Sequence, residues 1–200
     1  MIKVENIDAW GFQGAIRALR NPMNSWDKSD STTAVIGSKD LDLMKRLYKA
    51  GTEHRTYARM IQVSMDITAP LYWWKEMDRY TVGKSQVSCS TMHKIAAKEF
   101  ELDDFSHEHL SEYSIYHALE PTIDVLNHQR ELYLSDKSKT WWWQMIQLLP
   151  SSYNQRRTVC MSYETVFKII KERKGHTLDE WNKLVDTLES LPYVKIITEE

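Results

Sequence analysis

Apolar and polar positions alternate most cleanly between Ile61 and Ile67. Ile61, Val63, Met65 and Ile67 are separated by Gln62, Ser64 and Asp66, a period of two that predicts a strand with one buried face. Elsewhere the spacing is closer to that of helices. Ile7, Trp10, Ile16 and Leu19 predict a helix over 7–19, stopped by Asn21-Pro22. A second helix is expected from Ser38, read as its cap, to Gly51. Asp40 and Asp42 favour its positive end, and Leu43, Leu47 and Ala50 lie along one side. After the strand, Pro70 reads as the entry to a helix through Met77.

Thr81–Ser90 (TVGKSQVSCS) reads as a Gly- and Ser-rich loop, and residues 92–97 as a short helix. The second half predicts helices over 106–120 (broken by Pro121), 122–134 and 140–149, the last opened by Ser138 and ended by Pro150. A short strand is expected over 157–161. An amphipathic helix then runs over 163–174, with Val166, Phe167, Ile169 and Ile170 inward and Gly175 at its end. Thr177-Leu178-Asp179-Glu180 has the form of a capping box before a helix over 181–188. The pattern predicts an α+β protein dominated by helices, with a small sheet.

Composition narrows the function classes. The chain has 200 residues, enough for a single domain with a substantial core, and 42% of them are hydrophobic. Lys and Arg total 26 against 28 Asp and Glu, a net charge of −2, which counts against a dedicated nucleic-acid binder. Two cysteines, Cys89 and Cys160, make no disulfide framework and point to a reducing, cytoplasmic setting. The N-terminus MIKVENIDAW lacks the apolar run of a signal peptide. No apolar stretch approaches the roughly 20 residues of a membrane span.

Several side-chain groups are candidates for chemistry. His107-Glu108-His109 has metal-ligand residue types, but residues two apart on a helix point to different sides, so a solvated helix start is the expected reading and no metal site is assigned. Trp141-Trp142-Trp143 spans more than half a helix circumference, which predicts core and subunit contacts over ligand stacking. Cys89, with His93 four residues on, is a nucleophile candidate, and an ordinary thiol in a polar loop is the favoured reading. Gly83-Lys84-Ser85 lacks the upstream glycine of a phosphate loop.

Two ungapped stretches, Gly51–Arg79 and Pro150–Arg173, resemble the flavin-dependent thymidylate synthases in spacing. In that family a helix ends in Gly-His-Glu, a strand follows, and a helix leads into the signature Arg-His-Arg-x-x-Ser. Here Gly51-Thr52-Glu53, the 61–67 strand and Met77-Asp78-Arg79 hold that register. Leu149-Pro150, Ser162-Tyr163-Glu164 and Arg173 follow the family's later Leu-Pro, Asn-x-Arg and closing Arg. Ala18–Trp26 looks like the family's entry segment. The resemblance implies a helix-rich α+β single domain (residues 1–200) with a small antiparallel sheet, sites shared in a homotetramer or homodimer, and binding of FAD and dUMP. The implied reaction is methylation of dUMP to dTMP with a folate-derived methylene group. On this reading Ser88 and Ser90 are the catalytic candidates, Arg79 and Trp74 contact the cofactor, and Arg173 and Ser162 bind the substrate nucleotide.

The departures are as informative as the matches. The signature's first Arg and its His fall on Met77 and Asp78, the upstream Gln on Trp74, and the family's flavin-side His on Ala58. The nucleotide-binding Asn and Arg fall on Ser162 and Glu164, and the Arg before Leu-Pro on Ile146. Met, Ile and Glu cannot grip a phosphate as a guanidinium fork does, so weakened FAD binding is expected. Arg55, Arg59, Lys75, Lys84, Arg156 and Arg157 are the cations near enough in sequence to compensate. Two rival classes follow: a non-catalytic scaffold binding a nucleotide or a protein, and a different enzyme built on Asp78, Cys89 and His93.

Overall fold

The computed structural model describes residues 2–199. In chain order it contains β1 (Lys3–Trp10), α1 (Phe12–Arg20), α2 (Ser38–Lys49), β2 (Gln62–Pro70), α3 (Leu71–Met77), β3 (Lys84–Ser88) and α4 (Thr91–Lys94). There follow α5 (Glu112–Ser114), a π-helical turn (Ile115–Leu119), α6 (Glu120–Asp136), α7 (Lys139–Leu148), β4 (Asn154–Ser162), α8 (Tyr163–Arg173), α9 (Asp179–Glu189) and α10 (Val194–Thr198). The strands form one antiparallel sheet in the order β1-β2-β4-β3. The fold is therefore helix-rich α+β, as the periodicity and the resemblance both predict.

The central strand β2 carries the alternation seen in sequence: Val63, Met65 and Ile67 are completely buried, and the polar residues between them are half-exposed. The edge strands β1 and β3 differ from the expected helix and loop for a common reason. Their side chains are largely exposed, so no buried face marks them in the sequence. The helix expected over 7–19 is thus strand to Trp10, then Gly11 at φ 94, then helix from Phe12. The expected loop 81–90 contains β3, entered through Gly83 at φ 68. A Cβ on Gly83 would lie 2.7 Å from Ser162 Oγ and 2.8 Å from Thr165 Oγ1, so only glycine fits.

Pro121 does not break the helix. The π turn Ile115–Leu119 opens the hydrogen-bond ladder just before it, and Thr122 Oγ1 donates to the Ala118 carbonyl at 2.7 Å. Ser38 is not the cap of α2. Gly37 holds that position, and the Asp30 carboxylate caps from the preceding loop, accepting from Lys39 N at 2.9 Å and Asp40 N at 3.2 Å. The capping box at Thr177–Glu180 does not form, because α9 starts at Asp179 with Leu178 as its cap residue. Ser138 caps α7 as the sequence predicts, accepting from Thr140 N, and Ser162 caps α8 without having been read as a cap, accepting from Thr165 N.

The chain divides into two compact units. One consists of Ile67–Arg79 and Val87–Arg157 with the first residues of the chain. Its core joins Ile95, Phe100, Phe105, Ile123, Leu126 and Met145, with Trp142 and Ile146 packed against them. The other comprises Val4–Asp66, Tyr80–Gln86 and Thr158–Glu200. There α8 buries Val166, Phe167 and Ile169, and α9 buries Trp181, Leu184 and Leu188. Edge-to-face contacts of Tyr163 with Phe12 at 5.7 Å and of Phe167 with Tyr48 at 5.0 Å tie α8 to the first half of the chain.

Candidate functional site

The unit that carries α1, α2, α8 and α9 contains an apolar cavity of about 740 Å³. The size lies within the usual range of ligand pockets, roughly 300–1,000 Å³. Its walls come from the end of α1 and the turn after it (Leu19, Pro22), from one side of α2 (Leu43, Leu47) and from Tyr57 and Met60. Lys28, Arg46, Glu53 and His54 supply polar lining. Tyr57 is pinned by its hydroxyl, which donates to the Met44 carbonyl at 2.9 Å. Burial pushes its pKa up, so the phenol stays protonated as a donor.

Arg20, which also lines this cavity, belongs to a buried ion pair that has no signal in the sequence. Asp40, fully buried, accepts from Arg20 Nε at 2.8 Å and Nη2 at 2.6 Å, and from the hydroxyls of Ser29 and Ser31 at 2.6 Å each. Burial works to raise the Asp40 pKa. The Ser29, Ser31 and Arg20 hydrogen bonds outweigh it and leave the carboxyl below its usual 3.8. The loop 24–38, rich in Ser and Asp, is thereby fastened to both helices that line the cavity.

The same unit holds three of the positions named by the resemblance. Glu164, at the first turn of α8, takes Arg55 in a two-point pair, Nε–Oε2 at 2.8 Å and Nη2–Oε1 at 3.2 Å. Both side chains are mostly buried, and the guanidinium also lies 5.1 Å from the centre of the Tyr48 ring. Arg173 donates from Nε to the Tyr80 hydroxyl at 2.9 Å and packs over the Trp181 ring at 4.4 Å. Its Nη1 lies 3.0 Å from His176 Nε2. Tyr80 in turn donates to Glu172 at 2.9 Å, so Arg173 reaches that carboxylate through the phenol. Ser162 is buried. Its hydroxyl accepts from Thr165 N, and its backbone N–H donates to the Gly83 carbonyl at 2.8 Å.

The other unit holds Trp74, Arg79, Ser88 (at its β3 end) and Ser90. Trp74 is 1% exposed and donates from Nε1 to the Gln155 carbonyl at 2.9 Å. Its ring is covered by the Arg157 guanidinium at 4.2 Å. Arg157 pairs with Asp78 at 2.8 Å and donates from Nε to Gln155 Oε1 at 2.9 Å. Gln155 reaches on with Nε2 to the Cys89 carbonyl at 2.9 Å, fastening the Ser88-Cys89-Ser90 segment. Ser88 is exposed, and Ser90 caps α4, accepting from His93 N at 3.1 Å. Arg79 is exposed, and its side chain has no hydrogen-bond or ion-pair partner among the described residues.

Met77 is fully buried in the core. The Arg157–Gln155 bridge was not legible in sequence beyond the presence of Arg157 among nearby cations. The tryptophans of α7 are core only in part: Trp142 packs against the core of its unit and Trp143 faces out. Met145 is that helix's buried residue, Trp142 donates to the Met92 carbonyl at 2.9 Å, and Trp143 is 46% exposed. His107 Nδ1 donates to the Phe105 carbonyl at 2.8 Å. No three His, Cys, Asp or Glu side chains converge as metal ligands among the described residues. No helix is long and apolar enough to cross a membrane among them either.

No family model and no curated protein matches the chain. Solved structures do. The flavin-dependent thymidylate synthase ThyX of Helicobacter pylori, complexed with FAD and dUMP, superposes with a TM-score of 0.73 at 18% identity, over 98% of each chain. A second structure of that enzyme with FAD and dUMP gives the same TM-score and identity over 99% of this chain. A UMP/dUMP methylase, PolB of Streptomyces cacaoi, bound with 5-Br dUMP, superposes with a TM-score of 0.68 at 13% identity, over 98% of this chain and 94% of its own. The chain has the ThyX fold.

Proposed function

We propose that this chain binds a flavin and a deoxyuridylate-like nucleotide and serves the methylation of dUMP to dTMP, with the flavin gripped less tightly than paired arginines would allow. The observation that carries the reading is the apolar cavity of about 740 Å³. Its walls come from the 18–26 entry segment, from α2, and from Glu53 to Met60 in the Gly51–Arg79 stretch, so two of the segments that resemble the family contribute. The neighbours of this fold are complexes with FAD and dUMP or with 5-Br dUMP. When bound, a flavin supplies the two electrons that turn a folate-derived methylene into a methyl group. The chain's own part is to exclude water with Leu19, Leu43, Leu47 and the Tyr57 ring, and to orient polar ring edges with His54 and Glu53.

In this scheme Arg79 contacts a phosphate of the cofactor, with Trp74 as the packing platform of its helix. Arg173 and Ser162 define the substrate side, and Ser88 and Ser90 face the reacting nucleotide. We take the 200-residue chain as one cytoplasmic domain acting as a homodimer or homotetramer, for which exposed Tyr113, Tyr116 and Trp143 are the expected contacts. The test is a thermal shift with dUMP, dTMP and FAD on the parent and on Leu47→Trp, which fills the cavity. A shift in the parent that the variant loses, with its own melting point kept, supports the reading. No shift with any of the three ligands at millimolar concentration overturns it.

A second reading, a non-catalytic scaffold, is favoured by the Arg55–Glu164 and Arg157–Asp78 pairs. They put carboxylates at two positions where phosphate-binding or proton-donating groups are expected. Nucleotide binding without any release of dTMP from dUMP, flavin reductant and methylene donor selects this reading.

A further inference from the structure

Arg157 differs from the other strongly held arginines in having donors to spare. Its side chain is 12% exposed, and its orientation is fixed three ways: stacked on Trp74, tied at Nε to Gln155, and bonded at Nη1 to one oxygen of Asp78. Nη2 has no hydrogen-bond partner among the described residues. The counter-ion Asp78 is 44% exposed and accepts from Nη1 alone of this guanidinium. Arg55 is the contrast, with both carboxylate oxygens of Glu164 engaged. Lys75, in the last turn of the α3 that Trp74 belongs to, and Arg79, two residues past its end, add two cations whose side chains have no partner among the described residues.

We infer that Arg157 is an anion-binding residue that takes a phosphate ester on its Nη2 edge. Asp78 holds the guanidinium in place until the ligand arrives. The indole beneath removes water from one face of the cation, which strengthens a charged hydrogen bond on the other side. Its planar fork offers a phosphate two N–H groups at once, with little ordering left to do because Gln155 and Trp74 have already set the plane. Gln155 also bonds the Cys89 carbonyl, so ligand contact at Arg157 is linked to the segment that carries Ser88 and Ser90. The identity of the phosphate ester rests on the nucleotide-binding reading above. Inorganic phosphate probes the anion site apart from it.

The experiment is equilibrium titration of the parent, Arg157→Ala, Arg157→Lys and Asp78→Asn with four probe sets. These are inorganic phosphate, dUMP against deoxyuridine, FMN against riboflavin, and chloride as a control anion. The parent is expected to prefer at least one phosphate ester over its unphosphorylated partner by about tenfold or more, the factor that one charge-assisted hydrogen bond supplies. Arg157→Ala should bring that preference close to one, and Arg157→Lys should keep part of it. Asp78→Asn, by removing the competing carboxylate, should raise phosphate affinity, a gain that a merely structural Arg157 would not produce. The ester whose preference collapses identifies the source, dUMP or flavin. The inference fails if Arg157→Ala and Arg157→Lys, with melting points near the parent's, retain the full preference. It also fails if Asp78→Asn weakens binding. A parent that binds phosphate through Arg157 but neither dUMP nor FMN rejects the proposed function and leaves the anion site standing.

Discussion

Two ion pairs with the same chemistry do different work in this molecule. In one region Arg20 meets Asp40 with both nitrogens of its inner edge, and Ser29 and Ser31 complete the carboxylate's shell. In the other, Arg157 meets Asp78 through one contact at an exposed carboxylate. The first is closed: every strong acceptor site is used and no ligand can enter without leaving a buried charge bare. The second is open, held in place yet unsaturated. The contrast shows that a paired arginine is neither structural nor functional by virtue of its pairing. The number of unmet donors and the exposure of its partner decide.

The largest expected effect breaks the closed pair. Asp40→Ala leaves Arg20 buried without a counter-ion and should cost about 3–5 kcal/mol in urea unfolding. Asp40 titrates below its usual 3.8 in the folded state. Its contribution is therefore present in full above that value and lost as the pH falls through the lower folded pKa. Stability of the parent should fall more steeply than that of Asp40→Asn in acid below about pH 4. An identical acid profile for the two would mean that the pair is not formed.

Arg55–Glu164 sits between the extremes, mostly buried but at the surface of α8. Glu164→Gln should cost about 1–3 kcal/mol, between the exposed and buried limits, and should leave ligand affinity unchanged. A rise in flavin affinity in that variant would show that Glu164 blocks a phosphate, and would make this pair a second open one. Gly83→Ala comes next, at about 1–2 kcal/mol, because its positive φ and the nearby Ser162 and Thr165 oxygens leave no room for a Cβ. Arg157→Ala is the smallest in stability, about 1 kcal/mol or less, while its effect on phosphate preference should be the clearest of all. A loss of several kcal/mol there would place Arg157 with the closed pair.

Sequence reading caught what burial writes into residue order. The β2 alternation, α8 with its inward Val166, Phe167, Ile169 and Ile170, and the cap at Ser138 all appear where the pattern puts them. It failed where side chains are exposed on both faces, as in β1 and β3, because hydrogen bonds to the neighbouring strand define those elements and leave no periodic trace. Pro121 misled because a π turn just before it absorbs the missing donor. At the candidate site, spacing located Glu164, Asp78 and Arg173 but could not tell what they touch. Asp40 looked like a partner for a helix end and proved to be the buried centre of a network assembled from Arg20, Ser29 and Ser31. Such convergence is a property of the tertiary fold, with no local signal to read.

The proposed flavin site is the cavity beside α2, with a reduced grip on the diphosphate. The direct measurement is a titration of the purified chain with FAD in the presence of dUMP, followed by flavin absorbance and fluorescence. Loss of the three guanidinium grips at Met77, Ile146 and Glu164, at about 1.5–3 kcal/mol each, implies binding about a thousandfold or more weaker than an intact arginine set would give. The account predicts saturation at one flavin per chain, no stoichiometric flavin retained through gel filtration, and loss of saturation in Leu47→Trp. Flavin that stays bound at full stoichiometry through gel filtration would contradict the weakened grip, and no saturable binding at millimolar FAD would contradict the site itself.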